Sequence, residues 1–304
     1  MGIYNYRADF GKVLGPKSIE TNLNSNNKKQ KRTLENKIGS DKNLNNKKGK
    51  FVEKKINNTI SKTEYVSKID NKKCQTKSYI NITSLDFFCN ENNKNLTIKT
   101  IVDALKKMLV GTKKILIVGI GNRGMTSDSL GPKVIEKLIE KQIVLEEKAK
   151  KQVFLIAPNV VANTGIESFD MVFAVKKEIN PDLILVVDSL CTKNIERIGV
   201  SFQITNDAIV PGSGIKNKKN ELSQKSLGVG VLAIGVPMVI YLKNAFMSFI
   251  NGNNSENFNV GNKMEVKQGE KALLDDMVVT IKEIDILVES CAEIISSAII
   301  DTLL

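Results

Sequence analysis

Four short, unbroken apolar runs constrain the fold of this chain more than any other feature: Ile115–Val118, Val153–Ala157, Leu183–Val187 and Val231–Ile234. Each is too short for a buried helix and lacks the alternation of a strand with one wet face. Each therefore reads as a strand covered on both sides. Three of them stop at a turn former or a carboxylate, at Gly119, Pro158 and Asp188. The stretches between them carry helical spacing. Leu96–Leu109 places Ile98, Ile101, Leu105 and Met108 on one face, and Leu130–Lys141 starts a helix near Pro132. Thr164 and Glu167 have capping-box spacing ahead of Ile166, Phe169, Val172 and Phe173, as Thr280 and Glu283 do ahead of a closing helix that runs to Leu303. Met238–Phe249 reads as a further helix, and Tyr79–Thr83 and Gly199–Thr205 alternate as strands nearer an edge. The implied fold is α/β: a doubly wound, mostly parallel sheet with helices on both faces.

The 304 residues carry 45 Lys+Arg against 33 Asp+Glu, and the whole excess of 12 sits at one end. Residues 1–77 hold 19 Lys+Arg and 7 Asp+Glu, which leaves 26 of each for the rest. That segment is also rich in Asn and poor in aromatic residues, so it has little apolar surface to offset chain entropy. Two regions follow: residues 1–77, a basic and largely mobile segment, and residues 78–304, an α/β domain. Because the charge belongs to the tail, direct binding of nucleic acid is not expected of the domain. Met1–Phe10 has no signal-peptide core, and Ser226–Leu242 is too short and too broken by Gly and Pro to span a bilayer. Cys74, Cys89, Cys191 and Cys291 have no metal-ligand spacing, which suits inert thiols in a reducing cytoplasm.

Histidine is missing from the chain. That excludes Ser-His-Asp and Cys-His nucleophiles and His-ligated zinc, and leaves acid–base work to carboxylates, Lys, Tyr or Cys. In open parallel sheets chemistry collects beyond the carboxyl ends of the strands. Three features fall there: Gly119-Ile-Gly-Asn-Arg-Gly124 running on to Asp128, then Asp188, then Pro211-Gly-Ser-Gly214. The glycines match a dinucleotide fingerprint, but Leu155-Ile-Ala-Pro158 offers no acidic residue for a ribose, and no cofactor is expected. Asp128 and Asp188 follow different strands at the same end of the sheet. If those strands are neighbours, the two carboxylates can share a proton and work as acid and base on one water. A carboxylate after a strand is also a common helix cap or turn former, so spacing alone leaves both readings open.

The chain resembles the germination endopeptidases of spore-forming bacteria. The resemblance lies in Val118-Gly-Ile-Gly-Asn-Arg-Gly-Met-Thr-Ser-Asp128-Ser-Leu-Gly-Pro132, in Ala157-Pro-Asn-Val-Val-Ala-Asn-Thr-Gly165-Ile-Glu167 and in Pro181-Asp-Leu-Ile-Leu-Val-Val-Asp188. Pro211-Gly-Ser-Gly214 and Ala233-Ile-Gly-Val-Pro237 follow in the same order, and Tyr6-Arg7-Ala8-Asp9 is similar to the family's mature start. The resemblance implies an aspartic-type peptidase, with Asp128 and Asp188 as the catalytic pair and a fold like that of the hydrogenase-maturation peptidases. It also implies small acid-soluble spore proteins as substrates, a homo-tetramer, a zymogen, and the spore core as the compartment. Only five residues precede Tyr6, so self-activation by removal of a propeptide is expected to be minimal here. Cleavage beside glutamate in the family implies a cationic subsite, for which Arg123, Arg197, Lys216, Lys218 and Lys219 are the candidates. Two rivals remain: a catalytically silent relative that binds spore proteins, and a metal-assisted peptidase with Asp128 and Asp188 as ligands.

Overall fold

The computed structural model describes residues 7–8, 49–68, 76–141, 151–207, 209, 220–252 and 277–304. The runs at Ile115–Val118, Leu183–Val187 and Val231–Ile234 become strands inside the sheet, whereas the run at Val153–Ala157 supplies an edge strand and is half-buried, short of the covering on both sides expected for it. β5 (Lys114–Gly119), β6 (Gln152–Ile156), β7 (Leu183–Thr192) and β9 (Gly230–Tyr241) form a parallel core in the spatial order β9-β7-β5-β6. They pair in register, with Ile117 opposite Leu185 and Leu185 opposite Leu232. An antiparallel wing extends the sheet past β9. β8 (Ser201–Thr205) pairs with β9, β4 (Thr76–Ser84) with β8, then come β3 (Ile60–Lys68) and β2 (Gly49–Lys55).

That wing changes two expectations. Residues 49–68, placed by composition in the mobile basic segment, contribute two strands to the same sheet, so ordered structure begins well before residue 77. The Lys/Asn bias hid their alternation: Tyr65 packs inward while Lys62 and Glu64 pair across the surface at 3.5 Å. As a consequence β4 and β8 each have a neighbour on both sides, and neither is an edge strand.

Helices cover both faces. On one, α1 (Glu91–Met108), α2 (Leu130–Glu140) and the closing α7 (Ile284–Leu303) pack against Ile115, Ile117, Leu185, Val187, Phe202 and Leu232. On the other, α4 (Ser168–Ile179) and α5 (Gln224–Leu227) cover Leu116, Val118, Ile184, Val186 and Ala233. α1 starts earlier than its apolar stripe, because the Asn90 side chain accepts from Asn93 N at 3.1 Å. Glu289 of α7 takes Lys133 at 2.8 Å and also Lys137, holding its carboxyl below the usual range.

Neither expected capping box forms. Thr164 ends a single turn, α3 (Val161–Thr164), closed by Gly165 in the left-handed region, and α4 starts afresh after Glu167. Thr280 donates instead to the Met238 carbonyl, and α7 begins at Ile284 without a side-chain cap. The helix expected from Met238 begins only with α6 (Leu242–Gly252), because β9 runs through Pro237 to Tyr241. Pro237 is tolerated there because the ladder shifts register between Leu190 and Cys191, and a bulge needs no amide donor at that point. β10 (Val278–Val279) then pairs with β9 at Tyr241 and Ile240.

Candidate active site

β5 stops at Gly119, opposite Val187, and the chain then turns through the loop that carries Asp128. Three close backbone approaches set this loop. A Cβ on Gly119 would lie 2.2 Å from the Gly131 carbonyl oxygen, and one on Gly131 only 2.4 Å from Ile120 N and 2.7 Å from the Val187 oxygen. Gly121 sits at φ +135°, where a Cβ would come within 1.9 Å of the Asp128 carbonyl oxygen. Gly119 and Gly121, two of the three glycines that imitate a dinucleotide fingerprint, together with Gly131 therefore let the Asp128 loop fold down tightly onto the ends of β5 and β7. They serve close packing, and the first turn of α2 follows directly.

Within the loop, Asn122 N donates to both the carbonyl (3.0 Å) and Oδ2 (2.9 Å) of Asp128. Asp128 ends a short 3-10 turn, Thr126–Asp128, whose geometry aims its side chain back at that amide. The loop is fastened to β7 on either side of Asp188. Ile120 N donates to the Val187 carbonyl at 2.8 Å, and Leu130 N to Ser189 Oγ at 3.4 Å. Asp128 and Asp188 thus stand at the same end of the sheet, one on a loop laid across the strand that bears the other.

Asp188 was expected just beyond its strand, but β7 continues through it to Thr192. It is a buried carboxylate, 2% exposed, inside a run that is buried from Leu183 to Thr192. Placing a carboxylate there is costly, and the packing of a strand core gives no reason for it. Its partner on β9 is Gly235, itself opposite Gln203 of β8, which faces Asn81 of β4. The face bearing Asp188 therefore carries a polar row across the sheet, with Ser201 and Thr205 flanking Gln203.

Arg197 lies over this row. Its Nη2 donates to Tyr79 Oη at 2.9 Å and to Asn81 Oδ1 at 3.3 Å. Three strand spacings, about 14 Å, separate these partners from Asp188. Arg123 is placed differently: it is exposed on the Asp128 loop, with Nε 2.8 Å from Glu136. Lys216, Lys218 and Lys219, with Pro211-Gly-Ser-Gly214, lie outside the described residues. Among the described residues no cluster of three or more Cys, Asp or Glu is arranged to hold a metal ion, and no helix is long and apolar enough to cross a membrane.

Sequence reasoning missed a chain of asparagines beside the candidate pair. Asn163 Nδ2 bridges Asn122 Oδ1 at 3.1 Å and Asn159 Oδ1 at 3.2 Å, tying the β6–α3 connection to the Asp128 loop. Asn159 holds φ 62°, and Ser168 Oγ donates to its carbonyl at 2.8 Å. The one sequence signal was that two asparagines follow the strand β6 so closely; their partner, Asn122, lies on another connection.

The germination protease family model matches residues 18–251 of the chain. The chain is 32% identical to a germination protease of Clostridium tetani over 241 residues, which is 72% of this chain and 74% of that one. It is 32% identical to that of Clostridium acetobutylicum over 229 residues, 66% and 70% of the two chains. With the Priestia megaterium germination protease it shares 40% identity over 131 residues, 41% of this chain and 35% of that one. A solved [NiFe] hydrogenase maturation protease HycI from Thermococcus kodakarensis KOD1 matches with a TM-score of 0.34 and 18% identity, over 64% of this chain and 97% of that one.

Proposed function

The chain belongs to the germination protease family, and from that premise we propose that it hydrolyses small acid-soluble spore proteins during germination with a water activated by Asp128 and Asp188. The observation that carries the reading is the seating of the Asp128 loop on β7 at either side of the buried Asp188. A chain without histidine needs another acid–base pair, and two carboxylates at one sheet end supply it. One of them, ionised, takes a proton as water attacks the scissile carbonyl. The other, protonated, assists the carbonyl oxygen and then the leaving nitrogen. The Asn122 amide fixes Asp128 by two bonds, so the loop does not reorganise during the step. Arg197, over the same sheet face, is the described cation best placed to meet an acidic substrate side chain; Arg123 already has Glu136.

The test uses the full chain and an acid-soluble spore protein, with the cut and the enzyme's own N-terminus mapped by mass spectrometry. Asp128→Asn and Asp188→Asn each lose cleavage by about 10²-fold or more, as expected for removing an acid or base, while their folded spectra stay those of the parent. Cleavage by either variant at the parent rate ends the two-aspartate reading. Loss of parental activity on adding a chelator, restored by a divalent cation, replaces it with metal-assisted hydrolysis.

A further inference from the structure

β7 outruns its neighbour. β5 accompanies it only as far as Val187, yet β7 continues to Thr192, paired with β9 along its other edge up to Ile240. The edge from Ser189 to Thr192 on the β5 side is therefore left beyond the end of β5, directly past Asp188. Ser189, Leu190, Cys191 and Thr192 are all buried, so unpaired amides and carbonyls here carry a full desolvation cost. The structure fills the gap with two residues from the far N-terminus of the same chain. β1 (Arg7–Ala8) lies parallel to β7, with Arg7 opposite Leu190 and Ala8 opposite Cys191. Because β9 already holds the other edge at Leu190 and Cys191, β1 occupies the β5 side, in line with the Asp128 loop.

We propose that this stretch of β7 is a backbone-reading subsite that binds the substrate polypeptide as an added parallel strand, and that Arg7–Ala8 is a competitor docked in it. The inference rests on the peptidase reading and adds where, and in which direction, the substrate lies. A strand that sets one residue opposite Leu190 in this orientation brings the residue two positions earlier level with Asp188, about 7 Å back along the strand. Peptide entering from the Asp188 side passes the carboxylates first and then runs along Ser189–Thr192. The subsite therefore holds the residues on the C-terminal side of the scissile bond. Main-chain bonding supplies the affinity, so this side tolerates varied side chains, and selectivity falls to groups over the sheet face such as Arg197.

The experiment uses the full chain carrying Arg7→Pro and Ala8→Pro, since proline has no amide to donate and breaks a ladder. Hydrogen exchange with mass spectrometry follows the amides of Ser189–Thr192 in parent and variant, with and without a synthetic peptide of residues Asn5–Lys12. Faster exchange in the variant, reversed by the peptide, supports the subsite. Exchange unchanged by the substitutions, or by the peptide, overturns it. In cleavage of a spore-protein peptide the variant shows a KM about three- to tenfold lower with kcat unchanged, the shift for a competitor occupying about 70–90% of parent molecules. N-methylating the substrate backbone at the second or third residue after the cut raises KM, and methylating the corresponding positions before the cut does not. Cleavage that ignores N-methylation on the C-terminal side overturns the proposal. A chain that cuts no spore protein, yet is protected at Ser189–Thr192 by the peptide, refutes the peptidase reading and leaves the peptide-binding edge standing.

Discussion

Gly121→Ala isolates what the glycines of the Asp128 loop are for. Two costs arise at this position. The first is conformational: at φ +135° an L residue is strained by about 1–3 kcal/mol. The second is steric. The new Cβ would lie 1.9 Å from the Asp128 carbonyl oxygen, and that oxygen is backbone, so it moves only if the loop moves. Overpacking of this kind adds about 1–3 kcal/mol. Gly228 provides the control, because it holds φ +69° with nothing within 4 Å of its would-be Cβ and so carries the conformational cost alone. Urea denaturation of both variants therefore gives a Gly121→Ala loss that exceeds the Gly228→Ala loss by about 1–3 kcal/mol. Function separates them further. Relief of the clash pulls Asp128 away from the Asn122 amide and out of line with β7, and on the proposed mechanism a shift of about 1 Å in this group is worth about 10²-fold in rate. Gly228, far along the chain at the end of α5, leaves cleavage unchanged. Equal stability losses in the two variants, with parental cleavage by Gly121→Ala, would refute the packing role assigned to this glycine.

Other positions give simpler readouts. Gln203 is fully buried, and among the described residues its Oε1 accepts no hydrogen bond while Nε2 donates to Ser201 Oγ at 3.3 Å; Gln203→Leu is therefore within about 1 kcal/mol of the parent or more stable by chemical denaturation, and a loss above about 3 kcal/mol would show that the amide is needed. The amides of Lys113 and Lys114 donate to Asp182 Oδ2 at 2.7 and 2.8 Å and hold its carboxyl below the usual 3.8. The stability it contributes is present above that value and lost as pH falls through the lower folded value, so parent and Asp182→Asn converge in acid and differ at neutral pH. Burial pushes the Cys291 thiol far up, and Cys191 is buried as well, whereas Cys89 is exposed. Iodoacetamide on the native protein labels Cys89 and reaches Cys191 and Cys291 only after unfolding, as peptide mapping will show.

The parallel core was legible because it is written in residues that have no other use. Runs such as Leu183–Val187 cannot face water on either side, and the structure buries them on both. The elements that were misread are those in which a local signal had two meanings. Pro237 looks like the break between a strand and the helix expected from Met238, and only the register shift beside Leu190 shows that the strand runs on through it. Thr164 and Thr280 have the spacing of caps, but each hydroxyl finds a carbonyl elsewhere, at Ile166 and at Met238. The strands at residues 49–68 were hidden by charge, since antiparallel strands at the margin of a sheet need only one apolar face, and Lys and Glu suit the other.

The candidate site follows the same division and shows where reading a sequence stops. Asp128 and Asp188 could be nominated because each follows an apolar run at the same end of the sheet, and strand ends are where such sheets do chemistry. What the structure adds lies between elements rather than within them. Asp188 does not end its strand; it is carried past the end of β5 by pairing with β9, which no local pattern around Asp188 encodes. That extension does two things at once. It leaves a length of buried strand edge beyond the carboxylate, and it adds the Ser189 hydroxyl to the Val187 carbonyl as a rest for the Asp128 loop. A strand that stopped at Val187 would still present a carboxylate to solvent, but it would offer the proposed substrate strand no edge to pair with. On the proposed reading, the length of β7 is therefore the feature that joins the two aspartates to a place for a peptide.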